Sequence, residues 1–347
     1  MTAHDVEYIE LYADDEKTTV DYFVSSFGFT EVARSANESS PGMESVLLRQ
    51  NGVQLIVSSG PATHDFLAEH GDGVADIAFA CEDVVAARES AIAAGAKALT
   101  SEGTGAPAVS GFGCVRHTLV RRSATAAPGL PGHRRWTPTA APAAAGTEAA
   151  PALRELDHIA VCLEAGTLHD TVRFYLDGFG FTQYYSEYVA VGDQAMDSIV
   201  VRSPSGGITF TIIEPDTTKQ PGQIDEFLTR NGGGGVQHLA FLVDEIVPSV
   251  LDFESRGVEF LQTPGTYYDM LAERIPALGA QIADLAKANV LADLDEWGHL
   301  LQLFTRSPFE RRTLFFELIQ RQGAQGFGSA NIRALYEAVE RARAASS

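Results

Sequence analysis

Two hydrophobic rhythms alternate along the chain. Short apolar runs of strand length, such as LDHIAV (156–161), GVQHLAF (235–241), LLQLFT (300–305) and TLFFELIQ (313–320), are separated by stretches whose apolar positions recur at helical spacing. Leu168, Val172, Tyr175 and Phe179 form one such face, and Thr167, with Asp170 three residues on, is the expected N-cap of that helix. A strand, a helix ending in FGF and further strands read as a βαβββ unit. The pattern then repeats: 6–34 matches 156–185, and 71–99 matches 233–261, with strand, acidic turn and helix in the same order. Such a unit exposes an apolar sheet face and gains by pairing with a copy of itself. The expectation is an α+β chain of four βαβββ units, forming two half-open barrel domains.

Between the copies, 123–152 is dense in Ala, Pro, Gly and Thr without apolar periodicity, as in a linker. The domains expected are therefore a non-catalytic N-terminal one (1–122), a linker (123–152) and a catalytic C-terminal one (153–347). The last helix, capped by Ser329 with Ile332, Leu335, Tyr336 and Val339 on its apolar face, should close over the pocket.

Length fits two domains, and the composition, 45% hydrophobic and 20% charged, is that of a globular protein. A net charge of −21 disfavours nucleic acid and anionic lipid, no apolar run is long enough for a membrane span, and the acidic start lacks a secretory signal. A cytoplasmic protein is expected, and a homo-oligomer stays open. Cys81, Cys114 and Cys162 are widely spaced, so buried reduced thiols are expected rather than disulfides or a zinc knuckle. The glycines of NGGGG and QGFG lack the strand and helix context of a phosphate loop and read as turns.

The copies differ where chemistry would sit. His158 falls opposite Tyr8, and His238 opposite Asp76. Both histidines lie in apolar strands, as does Glu317, and an imidazole or carboxylate is costly there without a partner. Two imidazoles and one carboxylate offer a divalent metal three ligands and leave positions open; Fe(II) is the first choice and zinc the second. Tyr8 and Asp76 are expected to tolerate substitution. The strand period of two puts Phe315 on the face of Glu317, and Gln302 with Phe304.

The runs LDHIAV, GGGGVQHLAF, VEFLQTPGTYYDML, DEWGHLLQLFT and TLFFELIQRQGAQGFGSANIRALYEAVE resemble the 4-hydroxyphenylpyruvate dioxygenase and hydroxymandelate synthase family, of the vicinal oxygen chelate superfamily, over all but the linker. The resemblance implies Fe(II) on His158, His238 and Glu317, Gln302 as a substrate-binding amide, Phe315 and Phe327 as walls against a ring, and Asn331 at the pocket edge. It implies 4-hydroxyphenylpyruvate and O2 as substrates, and oxidative decarboxylation followed by attack on the ring (homogentisate) or on the benzylic carbon (4-hydroxymandelate). The dioxygenase branch carries Pro-x-Asn-Glu-Pro where this chain has Thr211-Ile212-Ile213-Glu214-Pro215. With Ile213 in place of the amide, and Ser198 and Tyr336 nearby, the pattern resembles the synthase branch. Thr211, Ile213 and Gln302 are then expected to govern the outcome of the reaction. The alternatives are homogentisate formation and a non-catalytic ligand-binding module, which would not need all three ligands.

Overall fold

The computed structural model describes residues 3–35, 42–100, 105–122, 129–139, 153–328, 330, 331, 333 and 334. The first unit is β1 (Ala3–Tyr12), α1 (Glu16–Ser25), β2 (Thr30–Ser35), β3 (Glu44–Gln50) and β4 (Val53–Ser59). After α2 (His64–His70) comes the second: β5 (Gly73–Cys81), α3 (Val84–Ala93), β6 (Ala98–Thr100), β7 (Pro107–Ser110) and β8 (Arg116–Arg121). A short β9 (Thr137–Pro138) precedes the third: β10 (Glu155–Cys162), α4 (Leu168–Phe179), β11 (Thr182–Val191), β12 (Gln194–Arg202) and β13 (Thr209–Pro215). Beyond α5 (Gln223–Asn231) the fourth unit is β14 (Gly235–Leu242), α6 (Ile246–Ser255), β15 (Leu291–Leu294), β16 (His299–Phe304) and β17 (Phe315–Gln322), enlarged by α7 (Gly265–Arg274) and α8 (Gln281–Lys287).

Each half is one curled mixed sheet. The second runs β11-β12-β13-β10-β14-β17-β16-β15, and the first has the same order, β2-β3-β4-β1-β5-β8-β7-β6, with β9 added beside β2. Alternation along the strands sorts the side chains. Ile159, Leu239, Phe316 and Leu318 enter the large core, while His158, His238, Phe315 and Glu317 turn to the other face. That core is shared between the halves. Phe23 of α1 and Phe27 just beyond it pack on Phe316 of the second sheet, and Tyr175 and Phe179 of α4 pack on His117 and Phe79 of the first. No described helix is long and apolar enough to cross a membrane. All three cysteines are free thiols, with Cys114 only partly buried.

Two local expectations need correction. Thr167 occupies the N-cap of α4, but its hydroxyl donates to the Glu164 carbonyl; the amides of Gly166, Thr167 and Leu168 instead donate to the Glu214 carboxylate at 2.7–3.0 Å. The stretch expected to be a linker is also not featureless where it is described. Residues 129–139 fold onto the first sheet, where Arg134 is buried against Glu10 (2.6 Å) and Ser45 (2.8 Å), and His133 meets the Tyr8 hydroxyl (2.9 Å). Composition hid this contact, because two side chains with fully buried partners outweigh a run of alanines and prolines. The proposed last helix, with Ser329 and Tyr336, lies mostly outside the described residues.

Candidate metal centre

His158 comes from β10, His238 from the adjacent β14, and Glu317 from β17 on the far side of β14. Their donor atoms all lie within 4.8 Å of one another, and the Nε2 atoms of both histidines are 3.3 Å from Glu317 Oε2. A bulge between Leu156 and His158 interrupts the pairing of β10. Bulges re-aim side chains, and here Asp157 reaches round to His158, with Oδ1 2.9 Å from Nδ1. Gln237 Oε1 lies 3.3 Å from His238 Nδ1. Each Nδ1 is thereby held by an acceptor, which turns each Nε2 toward Glu317.

All three residues are buried. Burial opposes a charge on His158, yet the Asp157 and Glu317 carboxylates outweigh it and lift the imidazole to about 9. Burial holds His238 below its ordinary value. Burial also works against the Glu317 carboxylate, but the two imidazoles keep it below the usual range. Without a metal the trio thus keeps a proton on His158 beside the Glu317 carboxylate, at the place a divalent cation would take instead. The donor set fits such an ion.

The equivalent positions of the first half carry Tyr8, Asp76 and, by the same pairing of β5 with β8, Thr118. There Thr118 N donates to Asp76 Oδ1 (2.9 Å), Arg116 pairs with Asp76 Oδ2 (2.9 Å), and Arg134 fills the space beside Glu10. Asp76 is fully buried in this network, against the expectation that it tolerates substitution: its loss would leave the buried Thr118 amide and hydroxyl without their acceptor, while Arg116 would keep Tyr12 and Glu10.

Around His158, His238 and Glu317 opens a cavity of about 480 Å³. Ser198, Thr211, Ile213, Gln302, Phe304, Phe315, Phe327 and Asn331 all line it, and of the expected substrate-binding residues Tyr336 falls outside the described set. Phe315 stacks on His238 at 5.0 Å and Phe327 stands edge-on to His158 at 5.1 Å. Ser198 and Ile213 are directly paired across β12 and β13. Gly328, at φ +76°, brings the backbone so close to Gln302 that a Cβ there would fall on the amide. Asn331 Oδ1 accepts from Tyr267 (2.7 Å) and Arg274 (3.0 Å). The buried Gln302 Oε1 and Asn331 Nδ2 have no partner among the described residues, leaving an acceptor and a donor for a bound molecule. The sequence reading missed Met196, Val200 and Leu291 in the wall, and Asp157 and Gln237 behind the histidines. The only signal for the last two was their place immediately before each histidine.

Residues 1–126 match the family model "Hydroxyphenylpyruvate dioxygenase, HPPD, N-terminal", and residues 155–303 match the "Glyoxalase/Bleomycin resistance protein/Dioxygenase superfamily". A 4-hydroxyphenylpyruvate dioxygenase from Yarrowia lipolytica is 30% identical over 97% of this chain and 92% of its own. One from Neurospora crassa is 34% identical over 81% of this chain and 72% of its own. Among solved structures, a triple variant of 4-hydroxymandelate synthase from Streptomyces coelicolor is 49% identical, with a TM-score of 0.84 over 98% of this chain and 99% of that one. Paired βαβββ units with a buried His, His, Glu cluster in one curled sheet define a vicinal oxygen chelate protein. Within that class the chain belongs to the 4-hydroxyphenylpyruvate dioxygenase and 4-hydroxymandelate synthase family, and it is a dioxygenase.

Proposed function

We propose that the protein is a 4-hydroxymandelate synthase, holding Fe(II) on His158, His238 and Glu317 and converting 4-hydroxyphenylpyruvate and O2 to 4-hydroxymandelate and CO2. When bound, Fe(II) would supply chelation of the 2-oxoacid and activation of O2. One oxygen atom enters the new carboxylate and the other the benzylic carbon, so the atoms of both substrates are accounted for. The chain's own part is placement. Phe315 and Phe327 give the aromatic ring a slot beside the metal ligands. Gln302 and Asn331 offer one free acceptor and one free donor to its polar ends.

The observation that carries the choice of product is Ile213. It lines the cavity paired with Ser198, beside Met196 and Val200, so no amide stands at this position to hold the phenol ring. A ring free to tilt presents its CH2 group to the oxidant. The higher identity to the synthase structure supports the same reading. The test is a product assay: purified protein, Fe(II), O2 and 4-hydroxyphenylpyruvate should give 4-hydroxymandelate, and homogentisate as the sole product would overturn the proposal.

A further inference from the structure

Arg321 lies on β17 four residues beyond Glu317, and its side-chain hydrogen bonds run in two directions. Toward the metal ligands, Nε and Nη2 donate to the two oxygens of Asp157, both at 2.7 Å, and Asp157 in turn meets His158 Nδ1 at 2.9 Å. Toward the cavity mouth, Nη1 donates to the carbonyls of Ala324 (3.2 Å) and Gly326 (2.7 Å), and the guanidinium carbon sits 5.1 Å from the centre of the Phe327 ring. The loop 324–327 is tied on its other side by the Asp295 carboxylate, which accepts from the amides of Gln325 (2.6 Å) and Gly326 (2.7 Å). Phe327, carried by that loop, stands edge-on to His158.

A planar guanidinium can satisfy a carboxylate bidentately and still donate elsewhere, which an ammonium cannot do from one position. We propose that Arg321 is a positioning residue that couples the metal centre to the pocket wall. Through Asp157 it fixes the ring of His158, and through two carbonyls and an aromatic face it fixes the loop bearing Phe327. Metal binding and ordering of 324–327 then reinforce one another, because coupling between two sites acts equally in both directions. The proposal rests on His158, His238 and Glu317 holding the metal.

The experiment uses the full chain stripped of metal and titrated with Co(II), read by visible absorption, with amide hydrogen exchange at 324–327 measured with and without Co(II). In the wild type, Co(II) should slow exchange at these amides severalfold. In Arg321→Met, the Co(II) dissociation constant should rise roughly ten- to hundredfold, the range for losing support behind a ligand. At saturating Co(II), exchange in the loop of this variant should no longer respond to the metal. Arg321→Lys, which keeps the charge but not the fork, should behave the same way and serves if the methionine variant does not fold. Co(II) affinity within twofold of wild type, or loop protection that still follows the metal, overturns the coupling. A wild type that binds no Co(II), or a His238→Ala variant that binds it as well as the wild type, instead overturns the metal assignment on which the coupling rests.

Discussion

At the scale of single residues, three side chains that would be costly alone are arranged so that each answers the others. A facial set of two imidazoles and a carboxylate has no spare ligand. His158→Ala, His238→Ala and Glu317→Ala should each abolish turnover and metal content, measured by iron analysis of the purified protein. Asp76→Ala, at the matching place in the first half, should leave bound iron unchanged but destabilise the fold by about 1–3 kcal/mol in a denaturant titration, since the buried Thr118 amide and hydroxyl would lose their acceptor. Iron lost from Asp76→Ala but kept by His238→Ala would put the metal in the wrong half. On the proposed function, Ile213 would act on a finer balance. Both products share every step through decarboxylation, so about 1.4 kcal/mol between the later barriers changes their ratio tenfold, and one buried hydrogen bond contributes about that much. Ile213→Asn should therefore divert product from 4-hydroxymandelate toward ring-oxidised species, resolved by chromatography, with oxygen uptake largely retained. An unchanged product ratio would shift the control to Ser198 or another residue of the wall.

At the scale of elements, the strands were legible and their supports were not. Alternation in LDHIAV and TLFFELIQ marks which face each side chain takes, because one face must join the apolar core and the other cannot. The histidines and Glu317 stood out for the same reason: polar groups at apolar positions. Arg321, by contrast, reads as an ordinary surface arginine, since its carboxylate partner is 164 residues away. The cap of α4 was likewise assigned to the neighbouring Thr167, while the carboxylate that serves three amides arrives from β13. Glu214→Gln should cost about 1–2 kcal/mol through the lost charge at the helix start. Thr167→Ala should cost less, and thermal denaturation of the pair would reveal a reversed order if the hydroxyl were the true cap.

At the scale of the whole molecule, the halves are joined by a buried histidine as well as by phenylalanines. His117, from the first half, is stacked on Phe79 at 4.2 Å, and its ring nitrogens meet the Ile77 carbonyl (3.0 Å) and the Tyr175 hydroxyl of the second half (2.7 Å). Burial pushes it down from its ordinary value to about 3. Between that value and the ordinary 6.5 the unfolded chain binds a proton that the folded chain refuses, so stability is lost as pH falls through this window. At about 1.4 kcal/mol for each pH step the loss attributable to His117 reaches about 4 kcal/mol. Denaturant titrations from pH 7 to pH 3.5 should show a smaller fall in His117→Gln than in the wild type; parallel curves would mean that His117 does not drive the acid sensitivity.

The segment around Arg134 gives the first half a permanent guest supplied by its own chain, whereas on the proposed function the cavity of the second half would take its guest from solution. The twin sheets should therefore differ in what sets their resistance to unfolding. The first carries a fixed contribution, and the second one that scales with ligand concentration. An unreactive 2-oxoacid with Co(II), present at a hundred times its dissociation constant, should add about 2.7 kcal/mol. Hydrogen exchange should show that gain in β10, β14 and β17 and not in β1 and β5. Saturation would thus convert a lopsided molecule into one whose halves are filled alike.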